Sequence, residues 1–306
     1  MKKADYRFYE LPPDIPILAL LGEKWEVVYG TDELHFHNYL EIGYCYYGDG
    51  KIVFGDREER YGAGTITIIQ RNVPHRTVAD SVKIQKWEYL FVDTDAIVRD
   101  FFKDRPDYSA NVKKRLETIA MVLPKEKNSE IKADVVGVLQ EMRNKGEFYR
   151  YIAKTSMFKL LLECIRLEAG EDQNEGRIVP NADSLEYLKK VLSYIEIHYK
   201  EDIKMKDLIS FCGLSETHLR RIFQEYVNES PMNYLNLYRI DKSCELLSKT
   251  NESVEEIAKR VGFSTSSTYM RNFKKITGKA PHQWRKAVRE NPQNVSSYQS
   301  SILKGW

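Results

Sequence analysis

Two segments in the C-terminal third of the chain repeat one pattern about 50 residues apart, and no other feature limits the fold as strongly. The first reads KDLISFCGLSETHLRRIFQEYVNESP and the second EEIAKRVGFSTSSTYMRNFKKITGKAP. In each, a short apolar helical stretch precedes a glycine (Gly213, Gly262), then an apolar residue and a serine (Leu214 and Ser215, Phe263 and Ser264). A second helical stretch runs to a phenylalanine (Phe223, Phe273), and a proline follows eight residues later (Pro231, Pro281).

The local chemistry of each unit is legible. Ser253 with Glu256 predicts a capping box, and Gly262 supplies a positive-φ turn. Ser215, and Ser264 or Thr265, are natural N-caps for the second helices. Residues four apart share a helix face, so Leu219 with Phe223, and Tyr269 with Phe273, turn inward. The opposite face then exposes Thr217, Arg220 and Arg221 in the first unit and Ser267, Met270 and Arg271 in the second. A glycine turn followed by a helix with a basic, hydroxyl-bearing face is the pattern of a helix-turn-helix, whose second helix enters a DNA major groove. The plainer alternative is a helical hairpin array with a solvated face.

What lies between the units favours the first reading. Ser230 and Pro231, an N-cap and a first-turn proline, open one helix that runs to about Lys249. At 1.5 Å per residue this is a rod of about 28 Å, near the roughly 34–36 Å between successive major grooves on one face of B-DNA. The net charge of +2 hides an asymmetry that agrees with this. Residues 1–184 carry 27 Lys and Arg against 31 Asp and Glu, whereas residues 185–290 carry 19 against 14.

With 306 residues the chain has room for two domains, and 42% apolar with 30% charged residues is the make-up of a folded protein. Its four cysteines, Cys45, Cys164, Cys212 and Cys244, form no CxxC pair, which argues against a zinc ribbon or disulfide framework and for a reducing cytoplasm. The N-terminal IPILALLG is too short and too interrupted for a signal peptide, and no apolar run approaches a membrane span.

From about Trp25 to Asp93, short alternating runs broken by Gly-Asp turns predict antiparallel hairpins of a sandwich or barrel. After Asp95 the apolar spacing becomes helical, through Ile97, Phe101 and Phe102, then Ile131 to Met142, then Ile152, Met157, Leu160, Leu161, Cys164 and Leu167. The polar EAGEDQNEGRIVPNADS reads as a linker, and residues 291–306 as a tail.

On LSETHLRRIFQEYVNESP, RIDKSCELL and IAKRVGFSTSSTYMRNFKKITGKAPHQWR, the chain closely resembles the AraC/XylS family of bacterial transcription regulators. The resemblance implies two domains: a cupin-like antiparallel β-barrel with packed helices, and an all-α tandem helix-turn-helix domain. HFHNYLEIGYCYYGDG and GAGTITIIQRNVPHR carry the less specific likeness to the cupin-like sensor half. The expected boundaries are 1–168 for sensing and dimerisation (barrel about 25–93, helices about 95–168), 169–183 for the linker and 184–290 for DNA binding. The family's base-contacting positions fall on Thr217, Arg220, Arg221, Ser267, Met270 and Arg271. Asn228 stands where the family usually has glycine, Ser243 where it has alanine and Trp284 where it has tyrosine. Met270 cannot hydrogen-bond a base.

Strand alternation places His35, His37, Tyr39 and Glu41 on one face, with Phe36, Leu40 and Ile42 on the other. By the resemblance, His75 takes the position of the last histidine of metal cupins. His35, His37, Glu41 and His75 would suit zinc, manganese, iron or nickel. Regulators of this family often keep such histidines without metal, so the same residues with Tyr39 are expected to wall a pocket for a small polar effector such as a sugar. The expectation is therefore a cytoplasmic regulator and not an enzyme, with no cofactor. Its partners would be double-stranded promoter DNA, the effector, a second copy of the chain and, for an activator, RNA polymerase. The alternatives are a metal-dependent cupin enzyme with a DNA-binding tail and an effector-independent regulator.

Overall fold

The computed structural model describes residues 5–290 except 8, 10, 13, 24–25, 29–33, 55–56, 81–83, 118, 171–182 and 228. Contacts divide the chain into two compact units, Ile15–Pro180 and a second that groups Met1–Asp14 with Asn181–Trp306. Most of the expected linker, the tail and Asn228 lie outside the described residues.

A three-residue strand, β1 (Asp5–Arg7), precedes the strands of the first unit. These are β2 (Ile17–Leu20), β3 (Glu26–Val28), β4 (His35–His37), β5 (Leu40–Tyr47), β6 (Gly50–Phe54), β7 (Arg57–Tyr61), β8 (Ile66–Ile69), β9 (Arg76–Ala79) and β10 (Ile84–Val92). Next come α1 (Thr94–Phe101), α2 (Pro106–Leu116), β11 (Ala120–Leu123), α3 (Ser129–Asn144) and α4 (Tyr149–Gly170). One sheet runs β11-β8-β5-β10-β2, with β3 also on β10; a second runs β7-β6-β9. Every pairing in both is antiparallel. The β unit is thus built of open sheets, with no continuous hydrogen-bonded closure into a barrel among the described residues.

Period-two alternation decides what each sheet face meets. Leu40, Ile42 and Tyr44 of β5, Ile66 and Ile68 of β8, and Leu90 and Val92 of β10 share one core with Ile97, Val135, Leu139, Met157, Leu160 and Cys164 of the helices. Each such fully buried side chain contributes about 1.5–3 kcal/mol. The opposite face carries Glu41, Gly43 and Cys45, paired in register with Phe91, Tyr89 and Trp87. Tyr61 of β7 packs edge-on against Trp87, so this face looks into the space between the sheets.

Two features differ from the sequence expectation. Residues 95–168 are not all helix, because β11 pairs along β8 through Ala120–Ile69 and Leu123–Ile66. A four-residue apolar run before Pro124 has no period of its own, and the otherwise open β8 edge captures it. In α4, Ile152 is 44% exposed and Ala153 takes its inward place, so the buried stripe runs Ala153, Met157, Leu160, Leu161, Cys164.

The second unit contains α5 (Asp183–His198), α6 (Met205–Cys212), α7 (Glu216–Tyr226), α8 (Pro231–Lys249), α9 (Val254–Arg260), α10 (Ser266–Thr277) and α11 (Pro281–Glu290). Ser215, Ser230, Ser253 and Thr265 cap their helices through their side chains, and Ser253 with Glu256 forms the capping box. Thr265, and not Ser264, is the cap of α10. Ile240 and Leu247 of α8, Ile257 of α9, Tyr269 and Phe273 of α10 and Trp284 of α11 form the core of the second repeat. Gly262 sits at φ +92°, where a Cβ would collide with the Tyr199 carbonyl oxygen.

Candidate ligand site and candidate nucleic-acid interface

The histidines lie on a strand that is broken. β4 ends at His37, the chain bends at Asn38 and Tyr39, and β5 begins at Leu40. Alternation therefore does not carry Tyr39 to the site as a side chain in a continuous strand. Instead its carbonyl accepts a 2.7 Å hydrogen bond from His37 Nδ1. The backbones of His35 and His75 exchange N–H···O bonds of 2.9 and 2.8 Å, which ties β4 to the turn before β9. Asn72 holds that turn at φ +60° and donates its N–H to the His37 carbonyl.

These constraints bring four side chains together. The ring centroids of His35 and His75 are 4.3 Å apart and those of His37 and His75 5.1 Å. Glu41 lies among them, with Oε2 at 3.2 Å from His37 Nε2 and Oε1 at 3.8 Å from His75 Nε2. His75 Nδ1 donates to the Val73 carbonyl at 2.9 Å. A carbonyl only accepts, so in both His37 and His75 the Nδ1 carries a proton and Nε2 is the atom turned towards Glu41. All four are at least nine-tenths buried. Ligand atoms of His35, Glu41 and His75 lie within 4.8 Å of one another, a donor set that fits a divalent metal ion.

Beside this cluster lies an aromatic floor that the sequence reading did not single out. Trp87 and Tyr89 lie nearly coplanar, and Phe91 meets the His37 ring edge-on at 5.2 Å. A Cβ on Gly43 would press on the Trp87 and Tyr89 rings and strike the Thr67 hydroxyl. The Trp87 side chain is 1% exposed, and its indole N–H has no protein acceptor among the described residues. A buried donor of that kind calls for a water or ligand oxygen. The alternation in IQKWEYLFV, which puts Gln85, Trp87, Tyr89 and Phe91 on one face, was the available signal. Burial, then the nearby Asp49, pushes the Cys45 thiol up to about 12, so it supplies no thiolate.

On the other side of β10, Glu88 accepts from the Tyr46 hydroxyl at 2.7 Å, from the Gly22 N–H at 2.9 Å and from Arg143 of α3. Burial alone would raise its carboxyl, but these donors hold it below the ordinary carboxylate range.

In the second unit, α7 and α10 present the predicted faces. Thr217, Arg220 and Arg221 are exposed on α7, and Ser267, Met270 and Arg271 on α10. The two arginines of α7 differ. Arg220 is held by Glu216 one turn back, Nε at 2.8 Å and Nη2 at 2.7 Å from Oε1. Arg221 has no carboxylate partner among the described residues. Between the units, Arg239 of α8 is 7% exposed and donates to the carbonyls of Tyr199 (2.8 Å) and Glu201 (2.7 Å), with its guanidinium over Phe263.

Comparisons with known proteins assign both units. The profile of a helix-turn-helix domain family matches residues 209–287, and that of the AraC-like ligand binding domain matches residues 26–161. An uncharacterized HTH-type transcriptional regulator of Staphylococcus aureus is 36% identical over 111 residues, 35% of this chain. The chain spans only 15% of that protein's length. The raffinose operon transcriptional regulatory protein of Pediococcus pentosaceus is 25% identical over 227 residues, 74% of this chain and 76% of that protein. Among solved structures, an AraC-type DNA-binding regulator of Chromobacterium violaceum aligns with 25% identity over 35% of this chain and 96% of its own, with a TM-score of 0.33. No helix among the described residues is long and apolar enough to cross a membrane.

Proposed function

Because this chain belongs to the AraC family of transcriptional regulators, we propose that it binds promoter DNA sequence-specifically through α7 and α10 and responds to a small polar effector held between the sheets of its first unit. The observation that carries the reading is the pair of exposed, partly basic helices, α7 and α10, each capped and packed alike, on either side of the 19-residue α8. Thr217, Arg220, Arg221, Ser267 and Arg271 are the residues proposed to meet bases or phosphates, and Met270 to contact a thymine methyl group.

For the effector, the proposed contacts are His35, His37, the backbone of Tyr39, Glu41 and His75, with the Trp87 indole as a further donor and flat surface. These groups combine hydrogen-bonding polar atoms with aromatic faces, which suits a polyhydroxylated ring such as a sugar. The relative named for a raffinose operon supports that class. The proposal further includes a cytoplasmic homodimer, contact with RNA polymerase where the regulator activates, and no enzymatic turnover.

Selection of duplexes by the full chain from a random pool tests the DNA half. The expected result is an enriched site with two boxes centred about 10–10.5 base pairs apart. Recovery of sequences with no shared box would overturn it.

A further inference from the structure

We propose that His35, Glu41 and His75 bind a divalent transition-metal ion with one coordination position left open, and that His37 positions Glu41 without ligating the ion. The three donor atoms already lie within 4.8 Å of one another. An ion about 2.0–2.2 Å from each nitrogen and oxygen closes that spread with shifts of less than about an ångström.

The hydrogen bonds divide the histidines into two roles. His75 places its Nδ1 proton on the Val73 carbonyl at 2.9 Å, which fixes the tautomer and aims the Nε2 lone pair at Glu41. A backbone carbonyl behind the imidazole is the usual support of a ligating histidine. His37 has the same support from Tyr39, but its Nε2 meets the other carboxylate oxygen, Oε2, at 3.2 Å. Two lone pairs cannot face each other at that distance, so a proton lies between them and the contact is a hydrogen bond. It leaves Oε1, the oxygen on the His75 side, for the ion.

Two imidazoles and a carboxylate without a thiolate suit zinc, and also manganese, iron(II) or nickel. Three protein ligands leave a position for an outside oxygen donor. We assign that position to a hydroxyl of the effector. This last step rests on the effector reading above, whereas ion binding does not.

The test is titration of the purified, metal-stripped full chain with zinc chloride, with stoichiometry read by elemental analysis after dialysis. One zinc per chain is expected, and none would overturn the site. His35→Gln and His75→Gln should lose stoichiometric binding, while His37→Gln keeps it with affinity weakened about 10–100-fold. The reverse ranking would overturn the division of roles. Because a variant can fail to fold, the wild-type chain loaded with cobalt(II) gives an independent readout. Azide should shift its visible bands if a position is open, and an unchanged spectrum would contradict the open site. If zinc binds but saccharide affinity is the same with and without chelator, the ion stands and its link to the effector falls.

Discussion

Arg220 and Arg221 are neighbours on one exposed face, yet they enter DNA recognition in different states. Arg220 is already paired with Glu216, and releasing an exposed pair of this kind costs about 0–1 kcal/mol. Arg221 is the uncommitted cation. Arg221→Ala is therefore expected to cost about 1–3 kcal/mol at a specific site and to reduce the preference over random DNA. Arg220→Ala should cost less, and Glu216→Gln should strengthen binding to random DNA by freeing a cation and removing an anion near the phosphates. Affinities for a specific and a random duplex at fixed salt check all three; equal losses for the two arginines would contradict the assignment. Helical spacing made these positions legible, because four-residue periodicity alone separates Leu219 and Phe223 from the exposed face. It carried no trace of the Glu216 pair. Trp87 was not singled out for a related reason: alternation names a face, and which ring on it has an unanswered N–H depends on what packs around it.

At the scale of elements, two charged groups join pieces that sequence patterns treat separately. Glu88 of β10 ties the central sheet to α3 through Arg143. Its carboxyl titrates lower folded than unfolded, so the link stabilises the first unit above the ordinary glutamate value of 4.5 and is lost as pH falls through and below it. Arg143→Met should flatten that acid loss in a thermal melt followed across pH; an unchanged profile would deny Glu88 the role. Arg239 of α8 caps the end of α5 and lies against the Gly262 turn of the second repeat. Arg239→Met leaves two buried carbonyls without donors, for an expected loss of about 1.5–3 kcal/mol in urea unfolding. A loss under about 0.5 kcal/mol would show that water replaces it. The helices of this unit were readable because caps, glycine turns and first-turn prolines are local signals. Strand β11 and the inward turn of Ala153 were not. Both are decided by what the rest of the unit offers, an open sheet edge in one case and the phase of a long helix in the other.

The whole molecule joins a β unit with a buried polar cluster to a helical unit that bears two exposed reading faces. The sequence repeat made the second unit legible almost entirely, because the same local code is written twice. The first was legible as an antiparallel β unit with packed helices. Its site was named through His35, His37, Glu41 and His75, though these converge across a bend and a backbone bridge and not along one strand. The central claim is that occupancy of the first unit changes DNA affinity in the second, a coupling that typically amounts to about 1–3 kcal/mol. The most direct measurement is the affinity of the full chain for its selected duplex, at one stated salt concentration, with and without each member of a saccharide panel. At least one saccharide is expected to shift the dissociation constant for that duplex about 5–150-fold. Saccharides that bind the chain yet leave that constant unchanged would contradict the account.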